Sequence, residues 1–430
     1  MFSLYLEDLE LYLQGNVNSG LHIDDIVLIL LLFADDMIIL GNTINNLQSS
    51  LDLLNSYCKK WSLAVNATKT KVMVFRKRGR LLPDEVFTYD GKVLDNVDNF
   101  NYLGTIFNYT GSFVHNQEHL VGKALKALNM LRVNCKKFKL KPKVLCQLFD
   151  AFVGSILGYA AEIWGYSKSK EIERIHLKFC KSLLNVRTTT ATAGVYGELG
   201  RYPLYITRYV RILSYWYKLM KTDNVILRTI YKMCWQECES GRKCWLTNIK
   251  NMLCEHGFAY IWEMQNTLAD RNFINLIKQR LIDIFLQSWY ADKANSEVLD
   301  MYNNVKTTFG YEPYLDILPN DLRVYISRIR ISAHSLAIQT GRYGRHRIPR
   351  DERYCFHCKS KDIEDEFHFI IICPCYETLR RKYITEYYYK RPSMAKFIEL
   401  LQSDNNKCLL NLSIYIKNAL SIRMNLTYIT

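Results

Sequence analysis

At 430 residues the chain is long enough for two or three domains with cores of their own, and an apolar fraction of 49% excludes bulk disorder. A formal net charge of +15 favours a polyanionic partner, with nucleic acid ahead of a membrane surface. The 13 cysteines follow an N-terminus without a basic leader, since acidic Glu7, Asp8 and Glu10 come at once; this points to a reducing, intracellular compartment with free thiols and room for one metal site.

The first hundred or so residues read as α+β. Ile26 to Ala34 is wholly apolar, but Asp24-Asp25 precede it and Asp35-Asp36 follow. It is far shorter than the roughly 18 residues a spanning helix needs, and adjacent aspartates in lipid are costly, so no membrane span is expected. Instead Ile26–Phe33 and Met37–Leu40 read as strands of a hairpin with Asp35-Asp36 at or near its turn. An amphipathic helix follows, with Ile44, Leu47, Leu51, Leu54, Cys58 and Trp61 at three- and four-residue steps and Asn42 or Thr43 as cap. Val72–Phe75 reads as a strand, and Tyr102–Phe107 as another short strand or hairpin.

From about His115 the pattern turns helical, over Leu120–Phe138, Pro142–Trp164 and Glu171–Val186. Residues 115–190 hold 14 Lys and Arg against 5 Asp and Glu, a one-sided excess that suits a phosphate-facing surface. Residues 205–300 remain helical and rich in Tyr and Trp. Residues 323–353 are again basic, with 8 Lys and Arg against 2 Asp and Glu, and contain Gly341-Arg342-Tyr343-Gly344-Arg345, which reads as an exposed loop.

Phe33-Ala34-Asp35-Asp36 is the sharpest chemical signal. Two adjacent carboxylates beside apolar strands are expensive to bury unless a cation neutralises them. Oxygen ligands of this kind suit Mg²⁺, which polymerases use in pairs to stabilise the attacking and leaving oxygens of an in-line displacement. A solvent-exposed Asp-Asp turn is the plainer alternative. Lys69 and Lys71 follow; a lysine near a nucleotide can donate a proton to pyrophosphate or clamp phosphate, and otherwise is a solvated turn residue.

The second strong constellation is Cys355-x2-Cys358-x9-His368-x4-Cys373. Three thiolates and one imidazole suit tetrahedral Zn²⁺, and the two-residue gap forms a tight knuckle. His357 lies between the first two cysteines, and Cys375 competes with Cys373 for the fourth position. The basic residues just before it (Arg342, Arg345, Arg347, Arg350) supply phosphate contacts, while Tyr343 and Tyr354 offer rings for unpaired bases. Cys234, Cys238, Cys244 and Cys254, with His256, form a looser cluster that reads as structural thiols.

The order of these elements resembles the C-terminal part of a non-LTR (LINE-type) retrotransposon reverse transcriptase. The carrying segments are Leu32–Leu40 around Asp35-Asp36, the lysine-rich turn Asn66–Phe75, Tyr102-Leu103-Gly104, Leu148-Phe149-Asp150 through Tyr159–Gly165, and His176–Asn185. The resemblance implies a partial palm over 1–112, with Tyr102, Leu103 and Gly104 in a primer-grip hairpin. It implies a helical thumb over 113–200, a helical connector over 201–322, and a basic segment, zinc knuckle and helical tail over 323–430. It further implies Mg²⁺ at Asp35 and Asp36, a general placement of Lys69 near the nucleotide, an RNA template and a DNA primer or target as partners, and action in the nucleus. Such enzymes use a third carboxylate from an earlier strand, whereas 34 residues precede Asp35. The fingers and first catalytic aspartate are therefore expected to be absent from the chain, unless a partner chain supplies them. The chain alone is expected not to polymerise, and a non-catalytic RNA- or DNA-binding remnant is the rival reading.

Overall fold

The computed structural model describes residues 5–14, 20–77, 79–135, 137–138, 140–264, 271–343, 346–358 and 360–427. Short strands occupy the first part of the chain and helices most of the rest, the α+β-then-helical class that the sequence predicts. Contacts group the chain into two compact units. One comprises residues 1–120, 158–167 and 208–277; the other comprises 121–157, 168–207 and 278–430. Among the described residues no helix is long and apolar enough to cross a membrane.

Among the described residues of the first unit the strands pair as five two-stranded ladders. Strands β1 (Leu21–Ile23) and β2 (Ile26–Leu28) form one antiparallel hairpin, and β3 (Leu30–Phe33) and β4 (Asp36–Ile39) form the next. The apolar run expected as one strand is thus divided at Ile29. Its first half folds back through the Asp24-Asp25 turn, and its second half pairs forward, so the two halves take different partners. Ile29 is itself buried, and its carbonyl accepts the Leu40 amide at 2.8 Å.

Strand β5 is only Lys71–Val72, shorter than expected, and runs parallel to β8 (Asp95–Asn96). Past Val72 the Arg76 guanidinium donates to the Val74 carbonyl at 3.1 Å. Between them lie β6 (Thr88–Tyr89) and β7 (Lys92–Val93); β9 (Asn99–Tyr102) and β10 (Thr105–Asn108) close the strand region.

The helix Ile44–Lys60 forms as its spacing predicts, capped by Thr43, whose Oγ1 accepts the Asn46 amide at 3.2 Å. Its buried face (Leu51, Leu54, Tyr57) packs with Leu9, Leu13, Leu30, Phe87 and Leu94 into one core that braces the hairpins. The helices of residues 208–264 have a second, aromatic core. There Trp262 stacks on Trp235 at 4.6 Å and on Trp216 at 6.1 Å.

The expected helix over Pro142–Trp164 is interrupted. Pro142–Phe149 gives way to a π-helical turn at Asp150–Gly154, and left-handed Ala160 (φ 50°) breaks the run before Ala161–Trp164. Two side-chain demands accompany the break. Asp150 is gripped by both terminal nitrogens of Arg201, and Arg211 takes the Gly158 carbonyl at 2.6 Å. In the second unit Trp289, Tyr302, Ile326, Phe369 and Tyr415 are fully buried, as is the ion pair of Arg330 and Glu198.

Candidate catalytic and metal-binding sites

The β3–β4 register pairs Phe33 with Asp36 and Leu30 with Ile39, leaving Ala34 and Asp35 as a two-residue turn. Ala34 sits at φ 55°, the left-handed conformation that tight hairpins require. Directly opposed residues share a face. Leu30, Met37 and Ile39 face the core, so Leu31, Phe33 and Asp36 take the opposite, exposed face. Both carboxylates are therefore presented to solvent on a short, well-braced turn. Among the described residues no third carboxylate, imidazole or thiol gathers with them as a metal-ligand group.

Lys69 lies in a turn fixed by Asn66, whose Oδ1 accepts the Lys69 amide at 3.2 Å, and its side chain is exposed. Lys71 is committed elsewhere, with its ammonium 2.5 Å from Asp95.

Tyr102, Leu103 and Gly104 occupy the tip of the β9–β10 hairpin. Leu103 (φ 48°) and Gly104 (φ 81°) are both left-handed, the pattern of a type I′ turn. The tip is held from outside: the Tyr159 hydroxyl donates to the Leu103 carbonyl at 2.7 Å. Asn116, almost wholly buried, accepts the Ile106 amide at 3.0 Å. Tyr159 itself is set by Trp164, whose indole N–H donates to the Tyr159 carbonyl at 2.9 Å. Sequence reasoning placed Tyr159–Gly165 in a thumb-like helix and missed that it props the hairpin. Only the tertiary structure carries that information.

Residues 1–107 match the family model described as reverse transcriptase (RNA-dependent DNA polymerase). The chain carries a reverse transcriptase-like segment. It is similar to an uncharacterized transposon-derived protein of Caenorhabditis elegans, at 28% identity over 163 residues, 36% of this chain and 57% of that protein. It is also similar to the RNA-directed DNA polymerase from mobile element jockey of Drosophila funebris, at 23% identity over 195 residues, 43% of this chain and 20% of that protein. The chain thus spans less than two thirds of the length of either relative. Both the Asp35-Asp36 hairpin and the 102–107 hairpin fall inside the matched reverse transcriptase residues.

Beyond the reverse transcriptase-like segment, two of the quoted motifs meet in one packed cluster. His176 is fully buried, with its ring 5.5 Å from both Phe149 and Tyr196 in near-parallel stacks. Arg201 binds Asp150 and also donates to His176 Nε2 at 3.2 Å. Burial first, and the Arg201 charge second, hold His176 well below the ordinary imidazole range, so it is neutral. This arrangement is that of a packing group, shielded from solvent on every side.

In the C-terminal segment Cys355, Cys358, His368 and Cys373 come together, with their ligand atoms all within 4.8 Å of one another. Cys358 Sγ is 3.4 Å from His368 Nε2. His368 Nδ1, turned the other way, is 3.5 Å from an Asp362 carboxylate oxygen; that is an ion-pair distance without hydrogen-bond geometry. A ligating imidazole commonly has its second nitrogen turned to a carboxylate in this manner. The closeness of the two sulfurs holds the Cys355 thiol well below its usual value and pushes the Cys373 thiol up. The two ambiguities in the sequence resolve geometrically. Cys375 is exposed and donates to the His357 carbonyl at 2.9 Å, and neither Cys375 nor His357 joins the cluster. The donor set could hold a metal ion, and its chemistry suits zinc.

The arginine row is not uniform. Arg342 is half-buried and bound to Glu297, through the carboxylate at 3.0 Å and the carbonyl at 2.6 Å. Arg350 pairs with Asp300 at 2.6 Å. Arg347 and Tyr343 are exposed, and Arg345 lies outside the described residues. Two of the expected phosphate contacts are thus engaged by carboxylates, because acidic residues 297 and 300 lie close to the segment in the fold. In the looser Cys-His cluster two local contacts stand out. Cys244 donates to the Cys234 carbonyl at 3.3 Å, and His256 Nδ1 lies 2.7 Å from the Met252 carbonyl.

Proposed function

We propose that this chain is part of an RNA-directed DNA polymerase of a non-LTR retroelement, carrying the metal-binding hairpin, a primer-positioning hairpin and a zinc-binding C-terminal module. The observation that carries the reading is the pair Asp35 and Asp36, exposed on a two-residue turn inside the segment that matches reverse transcriptases. In this reading Asp35 and Asp36 hold Mg²⁺, which supplies Lewis acidity for nucleotidyl transfer. The chain's own contribution is to brace the hairpin on the core through Leu30, Met37 and Ile39 while both carboxylates face solvent, where phosphates arrive. The β9–β10 tip, pinned by Tyr159, positions the primer end. Lys69 stands free for an incoming phosphate. Cys355, Cys358, His368 and Cys373 hold Zn²⁺ and tie the Cys355–Cys358 loop to the buried Phe369–Ile371 stretch. Arg347 and Tyr343 then contact RNA or DNA.

A two-ion centre needs more acidic ligands than two adjacent carboxylates provide. With no third ligand gathered beside them among the described residues, we expect these 430 residues by themselves to bind nucleic acid without extending it. The test is primer extension on an RNA template with Mg²⁺, run beside the Asp35→Ala/Asp36→Ala variant, with gel retardation of the same primed template. Retardation without extension supports this reading. Extension abolished by the double change shows a complete catalytic centre and overturns the expectation of inactivity. A folded chain that neither retards nor extends removes the nucleic-acid reading altogether.

A further inference from the structure

The helices of residues 208–264 have no part in the function proposed above. Yet within the first unit they wall a cavity of about 790 Å³, in the size range of small-molecule and cofactor sites. Its lining combines aromatic and aliphatic side chains in about equal number with a few polar groups. Tyr166, Tyr215 and Trp245 supply rings, Asn248 and Asn251 supply amides, and Lys243 supplies an ammonium. Its walls are rigid where they carry rings. The Trp245 indole N–H donates to the Glu162 carbonyl at 3.0 Å, Arg211 holds the Glu162 carboxylate at 2.7 Å, and Tyr215 packs edge-on against Trp245 at 6.0 Å. Lys243 is exposed, and among the described residues no carboxylate pairs with it. The cavity also borders the primer-grip-like hairpin: Phe113 lines it and packs edge-on at 6.0 Å against Phe107 of β10.

We propose that this cavity binds an unpaired nucleotide of a single-stranded nucleic acid. A base has a face for the rings to stack on, and every base offers one. Its edge carries donors and acceptors that side-chain amides can meet in pairs. Its phosphate is an anion for Lys243. Asn248 Nδ2 already donates to the Cys244 carbonyl at 3.3 Å, so the groups open to a nucleotide are the Asn248 amide oxygen, the exposed Asn251 amide and the exposed Lys243 ammonium. A cavity beside β10 can take a nucleotide flipped out next to the primer end, while basic surfaces hold the backbone. The proposal rests on the nucleic-acid reading above and adds a specific site to it.

The test is fluorescence anisotropy of the full chain with a labelled single-stranded RNA octamer, the matching DNA octamer and a primer–template duplex. We expect Tyr166→Ala/Tyr215→Ala to weaken single-strand binding by about fivefold to a hundredfold, the worth of lost ring stacking, with duplex binding changed less than about twofold. The Tyr166→Phe/Tyr215→Phe variant keeps the rings and should bind as the parent does. Binding of either sugar type supports the site. Unchanged single-strand affinity in the Ala variant, or duplex binding by the parent without single-strand binding, overturns the cavity proposal and leaves the wider reading intact. A folded parent that binds none of the three probes overturns both. Should the Ala variant not fold, photo-cross-linking of 4-thiouridine RNA to the parent decides the matter: adducts in the peptides holding Tyr166, Tyr215 or Trp245 support the site, and adducts confined elsewhere exclude it.

Discussion

The Tyr159 hydroxyl donates to the Leu103 carbonyl across 2.7 Å, so a residue 56 positions later in the chain fixes the tip of the β9–β10 hairpin. The same ring lies under Gly104: a Cβ there would come 3.2 Å from Tyr159 Cε1, at a φ of 81° that side chains rarely adopt. Gly104→Ala should therefore cost about 1–2 kcal/mol from backbone strain alone. Tyr159→Phe should cost about 0.5–1.5 kcal/mol, the usual net worth of one hydrogen bond. Amide hydrogen exchange over residues 102–108 is the measurement. Protection unchanged in Tyr159→Phe would show that the hairpin stands without its prop.

Arg330 and Glu198 form the deepest ion pair among the described residues, both almost fully excluded from solvent, and Arg330 also reaches Glu312 at 2.8 Å. Burial disfavours the charge, yet the two carboxylates outweigh that and hold the guanidinium above its usual range. Arg330→Met leaves buried Glu198 without its cation, while Glu312 keeps Lys306, and should destabilise the chain by about 3–5 kcal/mol. Pairing it with Glu198→Gln should recover part of the loss. Urea unfolding of the single and double variants reads the coupling; strictly additive losses would mean the two side chains do not depend on each other.

The Cys-His cluster predicts a single tightly bound zinc that chelators remove with loss of local order. Cys373→Ser should abolish uptake and Cys375→Ser should not, because Cys375 lies outside the cluster, on the His357 carbonyl. Binding to thiolates releases protons, so affinity should fall as pH drops and the thiols are reprotonated. Metal content by mass spectrometry of the folded variants checks the assignment; equal zinc in the Cys373 variant would refute it.

Arg342 and Arg347 should behave differently despite their closeness in sequence. Arg347→Ala removes an exposed charge and should lower the salt dependence of nucleic-acid binding by about one unit of slope, with little effect on stability. Arg342→Ala breaks the contacts to Glu297 and should act on stability first. Salt titrations of binding beside thermal melts separate the two effects.

Local chemistry was legible in the sequence wherever it depends on neighbours along the chain. The Asp35-Asp36 turn, the Thr43 cap, the Ile44–Lys60 helix and the Cys355–Cys373 spacing are of this kind, since turn geometry, capping and ligand spacing are set within a few residues. What the tertiary structure decided is which groups remain free. It divided the apolar run at Ile29, because adjacent segments took different partners. It committed Lys71 to Asp95 and Arg342 to Glu297, leaving Lys69 and Arg347 exposed. It chose Cys373 over Cys375, placed Tyr159 against the hairpin, and drew Tyr166, Tyr215 and Trp245 around one cavity. Each of these is a contact between residues tens of positions apart or a choice between near neighbours. Such outcomes depend on how whole elements pack, and no local pattern in the chain encodes them.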